Sequence, residues 1–585
     1  MNMLSKPTFN RHFVLNSGAL LAAVLFLAAG NVHAQAWAGL IAPARAVDWS
    51  TAGVTGGIPT RTTICQTLNG GASASQINSA INACPSGQVV KLNAGTYNLS
   101  TSVVLKPGVT LRGAGMGATL LVGSSGFGGD GVVSSANLLQ DYYLTSQTSY
   151  NLVSPQKGDT TITTSSNHNW AAGQYLQIDQ LQDPNGPTKI SLIGTDGQST
   201  LSSSCRNPGL ADAQCRLTGQ TVRIVSVPAA NKAVLDTALY FSYSQSPQAT
   251  RVLDALAGVG LEDLTVNNAA SQSAKVVHFS GLVESWMLRV EMTNIVNYGL
   301  FMYGGYKNTI RGCRLHDGIS GTGSGYTIMM WNRASANLFE DNIIDKLGII
   351  VLMDGAITGN VFAYNYATNM VYGGSAAGTG FGTHGAHPMM NLFEGNQIDT
   401  RFRMDFTWGT NSHSTMFRNR VNNETSSVYT GIRNLIDLWA YSSFNNIIGN
   451  VLGTAGQETI YQEATGPVNS SAKVVYAFGE QASFGDRGAD GGVAKSTVYR
   501  QGNWDSVNRA VRWDEDIVNA TRTLPNSLYL TAKPAYFGNC VWPPIGSDRN
   551  PMITDIPAKR RMDGNPCGST SAKPAAPQGF ALKVK

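Results

Sequence analysis

Between residues 349 and 441 the chain repeats one event: a short apolar stretch interrupted by an acid or a histidine. Ile349 to Gly355 (IIVLMDG) carries Asp354, and Phe381 to Pro388 (FGTHGAHP) carries His384 and His387. Phe402 to Gly409 (FRMDFTWG) carries Asp405, and Leu435 to Tyr441 (LIDLWAY) carries Asp437. Trp331, Trp408 and Trp439 accompany them, with Arg401, Arg403 and Arg418 close in sequence. Carboxylates and imidazoles move protons, aromatic faces suit the flat apolar faces of sugars, and guanidinium groups bind acidic ones. The expected catalytic set is His384, His387, Asp405, Asp354 and Asp437. The expected substrate-binding set is Trp331, Trp408, Trp439, Arg401, Arg403 and Arg418.

Residues this far apart meet only if the elements that carry them stack. Eight segments align when anchored at 259, 285, 308, 337, 360, 391, 414 and 445. Two residues past each anchor the side chain is apolar: Leu261, Met287, Ile310, Phe339, Phe362, Phe393, Met416 and Ile447. Five past it stand Leu264, Val290 and Cys313, and then Asn342, Asn365, Asn396, Asn419 and Asn450. Anchor spacings of 23 to 31 residues suit one β-solenoid coil with loops of variable length. Each short strand then pairs with its equivalent one coil away, ~4.8 Å on, so equivalent side chains form columns. Asparagine suits a bend column, because it tolerates left-handed backbone and its amide both donates and accepts. Cys313 shares the column and reads as a buried structural thiol.

This pattern resembles the pectin-lyase-like superfamily of parallel β-helices, with its internal asparagine ladder. Gly95-Thr96-Tyr97 and Val109-Thr110-Leu111-Arg112-Gly113-Ala114-Gly115 look like first coils of that superfamily. The resemblance implies an all-β, right-handed, single-stranded parallel β-helix, with ligands lying along one outer strand face. The subfamily signatures are absent: there is no Arg-x-Pro-x-x-Arg, no Gly-His-Gly and no Arg-Ile-Lys. The resemblance implies a polysaccharide-active enzyme, lyase or glycoside hydrolase, acting on an acidic or plant-type polysaccharide, with a non-catalytic glycan-binding or surface/adhesion β-helix protein as the alternative.

Coil spacing sets the separation of the carboxylates. Asp405 and Asp437 are one coil apart, ~5 Å along the backbone, and Asp354 and Asp405 two coils, ~10 Å. The first suits a retaining glycosidase pair and the second approaches the inverting range. Three aligned carboxylates could instead hold Ca²⁺ to neutralise a uronate while a histidine abstracts a proton. A strand turns alternate residues inward, so part of this set belongs to the core.

The rest of the chain fits an exported protein. Lys6 and Arg11, the apolar run Ala19 to Ala29 and Val32-His33-Ala34 read as a signal peptide cleaved after Ala34, which places the protein outside the cytoplasm. That run is too short to span a membrane. Loss of Lys6 and Arg11 lowers the formal charge from +5 to +3, too weak and scattered for a nucleic-acid partner. The expected state is a monomer. Seven cysteines include three local pairs, Cys65/Cys84, Cys205/Cys215 and Cys540/Cys567, compatible with disulfides in an oxidising compartment. Only 13% of the 585 residues are charged and 64 are glycine, which suits an elongated sheet protein with Gly- and Asn-built turns. The expected organisation is a lead-in at 35–64, then a helical cap with first coils at 65–129. An inserted β-subdomain at 130–250, the β-helix core at 251–480 and a C-terminal segment at 481–585 that is extended along the coils or caps the last one complete it.

Overall fold

Buried amides need partners, and the asparagine column finds them one coil away. The Asn342 amide donates to Asn365 Oδ1 at 2.9 Å, Asn365 to Asn396 at 2.9 Å, Asn396 to Asn419 at 2.9 Å and Asn419 to Asn450 at 3.0 Å. The same amides donate to backbone carbonyls, as Asn365 Nδ2 does to Phe339 O. The column continues past the expected end of the core, because Asn450 Nδ2 bonds Asn503 Oδ1 at 2.9 Å. Asn503–Asp505 therefore belongs to a further coil, hidden in the sequence by the 53 residues that separate the two asparagines.

In the computed structural model the described residues are 35–135, 144, 147–182, 215–253, 255–271, 273–318, 326–370, 379–422, 434–464, 473–479, 492–514 and 522–568. They form a right-handed parallel β-helix with the register read from the anchors. Leu261 pairs with Met287, Met287 with Ile310, and so on through Phe339, Phe362, Phe393, Met416 and Ile447. Inside, Phe339, Phe362 and Phe393 stack with centroids 4.8 and 5.2 Å apart. The anchor positions carry a second ladder: Asn308 bonds Asn337, Asn337 bonds Asn360, and Asn360 bonds Asn391, each at 2.9 Å. Cys313 is buried in the first column, and loss of hydration pushes its thiol up to about 12.

Helix Ala74–Ala83 caps the N-terminal end. Ser73 and Gln76 form a capping box, and Ile77 and Ile81 are buried against the first coils. The helix stops at Cys84, which is bonded to Cys65. Cys540–Cys567 closes the C-terminal segment. Cys205 lies outside the described residues, as does the expected signal peptide. Among the described residues no helix is long and apolar enough to cross a membrane.

Three further pieces lie against the coils. The lead-in runs along the whole helix as a strap: Arg45 reaches Thr497 O, Trp49 Nε1 donates to Met390 O, Gly53 N to Ala336 O, and Arg61 to Gly258 O. The insertion forms a six-stranded antiparallel sheet from Ser149–Asn151, Thr161–Thr163, Tyr175–Gln180, Thr218–Ala229, Lys232–Leu235 and Gln248–Val252. It docks through Thr221 N to Ser335 Oγ and Thr358 Oγ1 to Gly219 O, and the ring of Tyr240 covers Gly359, where a Cβ would collide with it. The C-terminal segment lies along the coils rather than over the last one. Leu528 N donates to Glu394, the hydroxyls of Tyr529 and Tyr536 to Glu340, and the Arg418 guanidinium to Asp548.

Candidate functional site

Eight parallel strands make one long outer face: Lys275–Ser280, Tyr298–Tyr306, Tyr326–Ser335, Ile349–Asp354, Thr379–Gly385, Arg401–Trp408, Asn434–Leu438 and Val474–Phe478. Period-two alternation sends Leu300, Ile328, Val351, Phe381, Phe402 and Ile436 into the core. The alternate positions face outward. Tyr303 pairs with Trp331 and Trp331 with Asp354. Met353 pairs with Thr383, Thr383 with Met404 and Met404 with Leu438. The next positions, Asp354, His384, Asp405 and Trp439, therefore continue the same outer row. The ladder shifts between Thr383 and Gly385, and such a bulge re-aims the side chains around it.

At the centre of that row His384 Nδ1 lies 3.0 Å from Asp405 Oδ2. The His384 side chain is 28% exposed and that of Asp405 only 5%, so a carboxylate held beneath the surface orients a solvent-facing imidazole. Thr407 N donates to Asp405 Oδ1 at 2.9 Å and fixes the carboxyl plane. Burial pulls the His384 pKa down, but the charges of Asp405 and Asp354 outweigh it and hold the ring above its ordinary value. Burial pushes Asp405 up, and the His384 contact overrides this to hold its carboxyl below the usual range. Asp354 sits on the other side of His384, with its carboxylate over Gly385 where a Cβ would fall on Oδ1. Glycine at 385 is therefore what admits this acid to the row.

Asp437 behaves differently from the expectation. It pairs with Arg403 rather than Asp405, two residues out of the row, and is fully buried. Its Oδ2 accepts from Trp439 Nε1 at 3.1 Å and lies 3.4 Å from Arg401 and 4.0 Å from Arg403. The Arg403 guanidinium also lies 4.3 Å from the centre of the Trp439 ring. Asp437 thus holds two cations and a tryptophan in place, and is not one half of a glycosidase pair with Asp405. For the same reason Asp354, Asp405 and Asp437 do not converge as the cage expected for Ca²⁺. Among the described residues no three histidines, cysteines or acids gather as cation ligands.

Two more expected residues leave the face. His387 is fully buried, with Nδ1 2.9 Å from Thr410 Oγ1 and Nε2 2.9 Å from Ser412 Oγ. Burial drops its pKa to about 3, so the ring is neutral and lies beneath the surface rather than in the outward row. Arg418 is buried on another side, where it binds Asp548 and the carbonyls of Pro525 and Leu524. There it holds the C-terminal segment against the coils. Both lie just outside the strands, His387 after Thr379–Gly385 and Arg418 after Thr415–Phe417, so strand alternation does not set where they point. The Trp408 side chain lies outside the described residues.

The sequence reading missed most of the N-terminal half of the face. Over three coils the outward positions are Tyr298, Phe301 and Tyr303, then Tyr326, Met329 and Trp331, then Ile349 and Leu352. They form an apolar cluster separate from the core. Tyr298, Tyr326 and Trp331 are partly exposed, and the other five pack beneath them. The signal was present in YGLFMY and YTIMMW, where both strand faces are apolar although one must face outward.

A family model described as rhamnogalacturonase A/epimerase, pectate lyase-like, matches residues 71–196. Those residues cover the cap, the first coils and part of the insertion, and end before the first strand of the groove face. Three solved structures are similar over most of the chain. A tailspike protein from Pseudomonas phage LKA1 is 12% identical with TM-score 0.44, covering 70% of this chain and 71% of that one. An alginate lyase from Paenibacillus is 12% identical with TM-score 0.32, covering 71% and 99%. A polygalacturonase from Erwinia carotovora is 12% identical with TM-score 0.31, covering 73% and 97%. No curated protein matches the chain.

Proposed function

We propose that this chain, a pectin-lyase-like right-handed parallel β-helix protein, cleaves a uronate-containing polysaccharide by elimination in the groove centred on His384. The observation that carries the reading is the His384–Asp405 contact at 3.0 Å, with the carboxylate covered and the imidazole facing solvent. A base so oriented is suited to take a proton from the carbon next to a uronate carboxyl. The carbon–hydrogen bond breaks, its electrons form the carbon–carbon double bond, and the glycosidic carbon–oxygen bond breaks. The departing oxygen takes a proton from solvent. Arg403 stands in the next coil with Arg401, both positioned by Asp437, and a guanidinium there would hold the uronate carboxylate and stabilise the charge that develops on it.

Hydrolysis is the less economical reading of this geometry. It calls for two carboxyl groups free to act on opposite sides of the bond. Asp405 is committed to His384 and Asp437 to Arg401, Arg403 and Trp439. The family match names enzymes of sugar polymers and supports a polysaccharide substrate in general terms. Two local disulfides support an oxidising, extracytoplasmic location, the compartment expected for a protein exported with cleavage after Ala34.

The test is a panel of polysaccharides followed by ultraviolet absorbance of unsaturated uronates and, in parallel, by reducing ends. Elimination raises both, and His384→Ala lowers the rate roughly 100- to 10,000-fold without unfolding the protein. Reducing ends without absorbance would turn the reading to a hydrolase. Glycan binding without either signal would turn it to a binding module.

A further inference from the structure

The groove face changes chemistry at His384. On the C-terminal side the next two coils present Arg401, Arg403, Asp405 and Asp437. On the N-terminal side three coils offer Tyr298, Tyr326 and Trp331 on an apolar bed before Asp354, with the Lys275–Asp130 ion pair at its far end, where Lys275 Nζ lies 4.7 Å from the centre of the Phe301 ring. An outward sheet face alternates with the core face and is ordinarily polar, so a continuous apolar stretch there marks a contact surface.

The geometry of the rings agrees with a flat ligand. Tyr298 and Tyr326 lie on successive coils with centroids 5.5 Å apart and planes inclined by 32°. Trp331 shares its strand with Tyr326 and packs edge-on against Phe301 at 5.8 Å. The coil rise of ~4.8 Å is comparable to the length of one pyranose unit. Tyr326 and Trp331 therefore lie about two sugar units from the His384 coil, and Tyr298 about three. The platform is continuous with the row that contains His384, because Trp331 pairs directly with Asp354.

Resting on the reading of the groove as a glycan site, we infer that its two halves take chemically different stretches of one chain. The half beyond His384 takes the uronate at which the bond is cut. The Tyr298–Tyr326–Trp331 half takes sugars that carry no charge, either neutral sugars or esterified uronates. An ionised carboxylate over this half would lose hydration, and the Lys275 ammonium at its edge is already paired with Asp130, whereas an uncharged ring face stacks on the aromatic rings. The preferred substrate is thus a partly esterified or mixed polymer, and a fully ionised homopolyuronate is disfavoured.

The test measures binding apart from turnover, using the full chain with His384→Ala and isothermal titration. The probes are polygalacturonate, the same polymer methyl-esterified, and a neutral galactan, the last separating a neutral sugar from an ester. The expected result is that an uncharged probe binds about tenfold tighter than polygalacturonate, and that Trp331→Ala and Tyr326→Ala each remove up to about tenfold of that affinity. Both variants should weaken binding of the uncharged probe more than binding of polygalacturonate. Polygalacturonate binding as tightly as the uncharged probes, binding of none of the three, or uncharged-probe affinity indifferent to both substitutions would each overturn the inference. Turnover is scored separately in the unsubstituted protein. A chain that shows this preference yet cuts nothing refutes the enzyme and leaves the platform standing.

Discussion

His384 is useful only while it is unprotonated, and two acids flank it. Its pKa is held above the ordinary imidazole value, chiefly against burial and by Asp405. A base of raised pKa gives an activity that is low when the ring is protonated and rises as pH climbs through that value. In Asp405→Asn the supporting charge is gone and burial prevails, so the acidic limb of the rate–pH profile should move to lower pH while the maximal rate falls. A limb that stays in place would mean that another group titrates. Gly385 offers a steric test at the same scale. Its backbone conformation suits alanine, but the added Cβ would displace the Asp354 carboxylate. Gly385→Ala should lower kcat with little change in melting temperature, and Asp354→Ala should match its loss. Of the expected residues, Asp354, His384 and Asp405 were legible because each interrupts an apolar strand. His387, three residues from His384, was not separable from it: which of the two faces out depends on a local shift in the ladder that no spacing rule reveals.

At the scale of the element, the ladder asparagines carry the coil. Asn365 accepts from the backbone N–H and the amide of Asn342, and donates to Phe339 O and Asn396 Oδ1. Asn365→Ala strands several of these buried groups at once, each of which costs about 1–3 kcal/mol. The melting temperature should fall well below that of Cys313→Ala, a change in the same column that keeps the backbone N–H of residue 313 donating to Asn342 Oδ1. Columns such as these are the most readable feature of the chain, because the fold demands the same residue at a fixed offset in every turn. What escaped was any coil whose loop was long: Asn503 belongs to the column, yet lies 53 residues beyond Asn450.

The whole molecule depends on segments outside the coils. Burial pushes the Glu394 carboxyl up to about 7 where it accepts from Leu528 N and the Tyr364 hydroxyl. Its folded-state pKa lies above the ordinary value of 4.5, so its contribution to stability is full below about 4.5 and is lost as pH rises through about 7. The C-terminal segment should therefore be trimmed by protease faster at pH 8 than at pH 5. Arg418→Ala should make it labile at both, with groove activity retained, since Arg418 lies away from the groove face. That docking was illegible in the sequence, where Arg418 looked like a groove residue and its partner Asp548 stands 130 positions away.

The strap has a consequence for how this molecule is made. A solenoid whose repeats touch only their neighbours can grow from either end and fray from either end. Here the segment that enters first, near Arg45, finds its seat beside Thr497 and Tyr499, which are synthesised more than four hundred residues later. Its onward contacts at Met390, Ala336 and Gly258 then lead it back to the opening coil. The strap therefore cannot be fully seated until the coil at Thr497 has formed, and once seated it ties that coil to those at Met390, Ala336 and Gly258.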